Sequence, residues 1–339
     1  MGSKGEGVLR LRMSVPALLS AVSLLLAACG SSGSTGASPS PSGPVKVGMA
    51  LAAPKNDGGF AQAHYQGLQQ AEKDLGIKGS LVEQAVSPDQ RVNALTSLAQ
   101  DNQLVIGVGG EFAQAGVQVA PQFPKVTFVI VQGETAANAP NLHVYGVREG
   151  VPAYIAGVVL AKLTKTHKAG FIGGEQIPPA TQASDAFKAG LQSVDPTITL
   201  QSTIVGSFND PQKGAAAASA QLANGADVFY GYLAAGFPGV LQAIKDSKKD
   251  AHAASNIFPR CDQATFVVGD SILNAAADVV GIIKDFKNKA IPAQPVYHGV
   301  EVPDIQRFEL CPGYTQYSDL VKTTTDGIND GSIKLPAGV

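Results

Sequence analysis

The chain runs to 339 residues, with 25 Lys and Arg against 27 Asp and Glu and a formal net charge of −2 at pH 7. No block of basic residues interrupts that balance, which argues against a nucleic-acid partner. The three cysteines and five histidines fall without the spacing of a zinc site, so neither a metal nor another cofactor is expected.

The first segment reads as a leader. Lys4, Arg10 and Arg12 precede an apolar run over residues 13–26 that is too short to span a bilayer permanently. This is the layout of an export signal, here taken as residues 1–28. Leu26-Ala27-Ala28-Cys29 resembles the lipobox of bacterial lipoproteins, in which the cysteine receives the fatty-acyl (palmitate-type) anchor and becomes the new amino terminus. The alternative is an ordinary secretory signal, with Cys29 incidental. Residues 29–44, rich in Gly, Ser and Pro, bury too little apolar surface to fold and act as a flexible tether. With Cys29 lipidated, Cys261 and Cys311 remain; an oxidising exterior permits a disulfide between them, and two buried thiols are the other reading.

From residue 45 onward, short apolar runs alternate with amphipathic stretches. Strands are expected at 45–51, 81–85, 104–108 and 127–131, with helices at 60–75, 88–101 and 112–120 between them. Ser87 is placed to cap the second helix. The pattern resumes with strands at 143–147, 169–172, 198–205 and 227–230. They alternate with helices at 151–164, 180–194, 211–223 and 237–247, and Asp210 caps the helix that opens on Pro211. Continuous apolar strands between helices predict α/β architecture with parallel sheets covered on both faces. Roughly 295 residues follow the tether, enough for two doubly wound lobes. Ligands in such folds bind beyond the carboxyl ends of strands. The loops at 52–60, 107–112, 132–134, 173–178, 231–237 and 258–262 are therefore the ones to inspect. No GxSxG, Walker or HExxH pattern occurs, and Gly107-Val108-Gly109-Gly110 lacks the later glycine of a dinucleotide fingerprint. Nothing in the local pattern argues for an enzyme, and no catalytic residue is assigned.

Four stretches carry a resemblance. NDGGFAQAHYQGL at 56–68, VREGVPAYIAGVVLAKLTKTHKAGFIGG at 147–174, VGSFNDPQKG at 205–214 and CDQ at 261–263 are similar, in order and spacing, to the basic membrane protein family. These are purine-nucleoside-receptor-like, substrate-binding lipoproteins of ABC importers. The resemblance implies the type I periplasmic-binding-protein fold: two α/β lobes joined by a three-segment hinge and closing on ligand. Lobe 1 is expected over 45–146 with about 257–290, and lobe 2 over 147–256 with about 291–339. It further implies a monomeric receptor, held to the membrane by lipid, that hands a small molecule to permease subunits.

Phe60 stands where the family places a stacking phenylalanine, and Phe229 falls near a second aromatic wall. The polar contacts depart from the family's pattern. Ala61 replaces an Asn that reads the base, Leu51-Ala52-Ala53 lacks an Asp, and Gln132 stands for another. Arg260 replaces a ribose-binding Asp, and Asn274 a Lys. Asp57 and Asp262 complete the candidate ligand contacts, as neighbours able to satisfy Arg260 or to face the cleft. Arg260 is also suited to an anionic ligand group. Arg148 and Glu149 are expected at a lobe crossing, as an ion pair steadying the hinge. The leading expectation is therefore a nucleoside or related heteroaromatic. A sensory receptor, a binder of a non-nucleoside or anionic ligand, and a surface α/β hydrolase are the alternatives.

Overall fold

The structure, a computed structural model, describes residues 43–57, 59–133 and 139–339. The leader, Cys29 and nearly all of the tether lie outside the described residues.

The chain alternates strand and helix through β1 (Lys46–Leu51), α1 (Phe60–Leu75), β2 (Lys78–Val82), α2 (Pro88–Asp101), β3 (Leu104–Val108), α3 (Ala113–Val119), β4 (Thr127–Val131) and β5 (Leu142–Val147). It then passes to α4 (Gly150–Leu160), β6 (Lys168–Gly173), α5 (Pro178–Val194), β7 (Thr199–Ile204), α6 (Pro211–Ala223), β8 (Val228–Tyr232), α7 (Phe237–Ser247), β9 (His252–Ile257) and β10 (Val267–Leu273). The remainder is α8 (Ala275–Lys287), β11 (Val296–His298), β12 (Gln306–Leu310) and α9 (Ser318–Asn329). Two six-stranded sheets result, ordered β11-β5-β4-β3-β1-β2 and β12-β10-β9-β8-β6-β7. Pairing is parallel throughout except for β12, which runs antiparallel to β10. This is the two-lobed α/β fold with doubly wound sheets.

Local chemistry explains where the elements start. Ser87 and Gln90 form a reciprocal capping box at the head of α2. Asp210 accepts from the Gln212 and Lys213 amides at the head of α6, with Pro211 in the first turn. Every residue of α4 is buried, which removes the one-sided apolar stripe of a surface helix. It meets α5 at two glycines. A Cβ on Gly157 would lie 2.4 Å from the Phe187 carbonyl oxygen, and one on Gly190 would lie 2.1 Å from that of Tyr154. The helix expected over 112–120 is shorter than predicted: α3 is flanked by single 3-10 turns at Gly110–Phe112 and Ala120–Gln122.

Three crossings join the lobes, between β5 and α4, between β10 and α8, and between β11 and β12. They lie side by side: the Arg148 amide donates to the His298 carbonyl (2.7 Å) and the Asn274 amide to that of Ile305 (2.8 Å). The second and third crossings depart from the expected lobe limits. Residues 257–273 end in β10, which belongs to the second sheet, and β11 extends the first sheet although 291–339 were assigned to the second lobe. Only α8 joins the first lobe there, and a Cβ on Gly67 of α1 would lie 2.8 Å from Ala276 Cα. Beyond residue 274 the sequence offers short runs of mixed polarity, so lobe membership is set by long-range pairing rather than by pattern.

Candidate functional site

The segments that follow the carboxyl ends of β1 and β9 approach each other from the two lobes. Between the lobes lies a cavity of about 310 Å³. On one side are Gly59, Gln62 and Gln66 at the amino-terminal half of α1; on the other are Ile257, Phe258 and Pro259, beyond β9. Asn274, at the second crossing, closes one edge.

Phe60 is the first residue of α1 and is partly exposed, its ring 4.2 Å from that of His64 between centroids. The buried His64 ring bonds the Phe60 carbonyl oxygen through Nδ1 (2.7 Å), which fixes this first turn. Burial pulls the His64 pKa down, so the ring is held neutral. Asp57 is exposed, and its carboxylate accepts from the amides of Gly59, Ala61 and Gln62 at 2.8, 3.3 and 3.0 Å. It caps α1 and neutralises the positive end of the helix. Ala61, where a base-reading side chain was expected, is buried in the first-lobe core.

Gln132 ends β4 with φ +61°, and its side-chain oxygen accepts from the Val147 amide (3.3 Å). The side chain thus braces the first crossing. Asn274 caps α8 by accepting from the Ala277 amide (3.1 Å) and remains exposed. Asp262 is exposed, and the Arg260 guanidinium feels its charge. Phe229 differs from its expected place. It lies mid-strand and fully buried, where a Cβ on Gly170 would sit 2.7 Å from its ring, so it packs within the second lobe. Strand alternation turns Tyr230 to the opposite face, against Phe171 and Phe187.

The aromatic residue that does reach the cavity from the second lobe is Phe258, which the local pattern did not single out. Its signal was position: it stands just past a strand's carboxyl end, in a loop marked for inspection. Arg260 lies over the Phe258 ring, guanidinium carbon to centroid 5.7 Å, and donates from Nη2 to the Ala234 carbonyl oxygen (3.1 Å). Burial lowers its pKa, opposed by the charges of Asp270 and Asp262. The loop is held from below by buried Asp270, whose carboxylate accepts from the amides of Arg260 (2.7 Å) and Cys261 (3.2 Å) and from the Ser255 hydroxyl. Cys261 and Cys311 are joined by a disulfide, Cα to Cα 5.2 Å, which ties the same loop to the end of β12.

Beneath the cleft the hinge is polar. Glu149, beside the first crossing, is buried and forms no ion pair with Arg148. Burial pushes its carboxyl up to about 7, against a hydrogen bond from Asn256 that favours the anion. The Tyr230 hydroxyl lies 3.3 Å from Asn256 Oδ1 and 2.8 Å from Ser271 Oγ. Near the third crossing, His298 Nδ1 lies 3.3 Å from the buried Asp278 carboxylate, a contact that raises the imidazole pKa.

The inter-lobe cavity thus has the Phe258 ring on its wall, with Phe60 on the adjoining first turn of α1 and the Arg260 guanidinium over Phe258. Residues 44–289 match the family of ABC transporter substrate-binding proteins described as PnrA-like (Bmp). The ABC transporter nucleoside-binding protein BmpA of Lactococcus lactis subsp. cremoris is 31% identical over 251 residues, 70% of either chain. A purine-binding protein of Brucella abortus is 29% identical over 187 residues, 54% of this chain and 53% of that one. In fold, an ABC transporter solute-binding protein from Aeropyrum pernix K1 superposes with a TM-score of 0.71 at 19% identity, covering 86% of this chain and 93% of that one.

Proposed function

The chain belongs to the PnrA-like (Bmp) family of ABC transporter substrate-binding proteins, and from that premise we propose that it is a lipid-anchored receptor of an importer. It captures a small heteroaromatic molecule, a nucleoside being the first candidate, between its lobes and delivers it to permease subunits. As a member of a substrate-binding family it is not an enzyme. The observation that carries the reading is the inter-lobe cavity, with Phe60 on the adjoining first turn of one lobe and Phe258 lining it from the other. A flat ring entering between the lobes would gain apolar contact from both, and closure follows because the ligand favours the state in which both sides touch it. The nucleoside- and purine-binding relatives support the choice of ligand class. Cys29 is the proposed lipidation site, and residues 29–44 the tether to the outer face of the membrane. Among the described residues no helix is long and apolar enough to cross a membrane.

The test is thermal unfolding of the full chain against nucleosides, free bases, sugars and amino acids. At a hundredfold excess over Kd, a bound ligand stabilises by about 2.7 kcal/mol, a readable shift of the midpoint. Phe60→Ala should abolish the shift while leaving the unliganded midpoint within a few degrees; an unchanged shift removes Phe60 from the site. Cys29→Ser should move the protein out of the membrane fraction, and persistent membrane association would refute the anchor.

A further inference from the structure

The segment 257–262 is held in place more tightly than a connecting loop requires. Ile257 has φ +70°, a left-handed conformation that is an outlier for a β-branched residue and persists only when its surroundings impose it. Asp270 clamps the backbone three and four residues later through the amides of Arg260 and Cys261, and the disulfide to Cys311 pins the far end. The effect of these restraints is to fix two side chains, Phe258 at the wall of the inter-lobe cavity and Arg260 across its ring.

The Arg260 guanidinium is incompletely satisfied. Among the described residues only Nη2 finds a partner, the Ala234 carbonyl, and the buried Nε finds none. Among the described residues no carboxylate forms an ion pair with it. Asp270 is close enough to be felt, but its oxygens are occupied by two backbone amides and a hydroxyl. Asp57, on the facing lobe, is committed to the first turn of α1. An arginine remains charged under these conditions, and its planar fork is built to meet two oxygens at once. The protein therefore places a partly desolvated cation beside the cavity and leaves its counter-ion to come from elsewhere.

We propose that the ligand supplies it: Arg260 is the specificity-determining residue for a carboxylate or phosphate group carried by the bound molecule, with Phe258 stacked beneath the guanidinium and against the ligand's flat part. This deepens the reading above and rests on it for the aromatic portion alone; the anionic portion rests on Arg260.

The experiment is calorimetric titration of the full chain, solubilised in detergent, with adenosine, adenosine 5′-monophosphate, adenosine 5′-carboxylate and inorganic phosphate. A charge-assisted contact predicts that an anionic derivative binds about tenfold to a hundredfold more tightly than adenosine. Arg260→Gln should bring that ratio close to one, and Arg260→Lys, which keeps the charge but not the fork, should restore only part of it; unchanged unliganded melting certifies the fold. Preference for the monophosphate identifies phosphate, and preference for the 5′-carboxylate identifies carboxylate. Adenosine binding as well as or better than both derivatives, or a ratio unmoved by Arg260→Gln, overturns the proposal while leaving the nucleoside receptor standing. Arg260-dependent binding of inorganic phosphate without any nucleoside does the reverse. Failure of all four probes to bind counts against both.

Discussion

Replacing Glu149 by Gln isolates the cost of an acid buried in the hinge. The residue is 5% exposed and its carboxyl is raised from 4.5 to about 7, chiefly by burial, with Asn256 opposing. Because the folded pKa lies above the unfolded one, the folded state holds the extra proton between those two values. Stability therefore falls as pH rises from about 4.5 through 7 and levels off above. At about 1.4 kcal/mol for each pKa unit, the loss between pH 5 and pH 8 comes to ~2–3 kcal/mol for this group. Glutamine keeps the shape and cannot ionise. Urea unfolding of both proteins at the two pH values gives a double difference, in which His298 and the remaining titrating groups cancel. The variant should gain ~2–3 kcal/mol relative to the parent on going from pH 5 to pH 8. Parallel pH profiles for the two proteins would refute the assignment of a protonated Glu149 to the hinge.

Two further substitutions probe the scaffold. Gly190→Ala sets a methyl 2.1 Å from the Tyr154 carbonyl oxygen at the α4–α5 crossing, and should cost ~1–3 kcal/mol or more in chemical denaturation; a neutral result would show the helices free to separate. Ser87→Ala removes one half of the capping box on α2 and should cost about 1 kcal/mol, read as a small fall in the melting midpoint without loss of ligand response.

The first lobe and much of the second were legible because their elements carry local signals. The helices over 60–75, 88–101, 211–223 and 237–247 appear with the expected limits, each opened by Ser, Asp, Gly or Pro chemistry and continued by an apolar face. Strands β3 and β4 are five-residue apolar runs between helical patterns, and their shortness and β-branched content favour buried strands. Beyond residue 250 that correspondence fails. β9 reads HAASNI, a strand made of small and polar residues that is buried only because β8 and β10 flank it. β10 carries Asp270 and Ser271 in its middle, both buried, and each is satisfied by partners remote in sequence. Lobe membership of β10 and β11 is a property of pairing, which local pattern does not encode. The site divides in the same way. The position of Phe60 at the head of α1 was legible from the helix pattern, whereas the place of Phe229 was not, because strand register, which decides whether a ring faces core or cleft, is invisible without the neighbouring strands. Phe258 needed the structure to show which side chain a left-handed Ile257 turns toward the cavity.

The two faces of the cleft are not equivalent, and the asymmetry follows from where each keeps its charges. On the first lobe the amino end of α1, ordinarily an invitation to anions, is closed by Asp57, and Gln132 spends its side-chain oxygen on the hinge backbone. What that lobe offers near the cavity is an aromatic ring, small residues and neutral amides. On the second lobe the order is inverted: Asp270 is used up beneath the loop so that Arg260 is not, and the disulfide keeps the loop from sliding to bring the two together. A neutral, flat molecule would find partners on both sides but leave the guanidinium as it is. A molecule with one anionic end would find the same partners and also satisfy the cation. On the closure proposed above its gain would grow, because water would leave the cleft and the local dielectric would fall. Under that proposal, charge recognition from one lobe and apolar contact from both would draw on the same closing motion, and the hinge carboxyl at Glu149, protonated below about pH 7, would add no competing negative charge in that range.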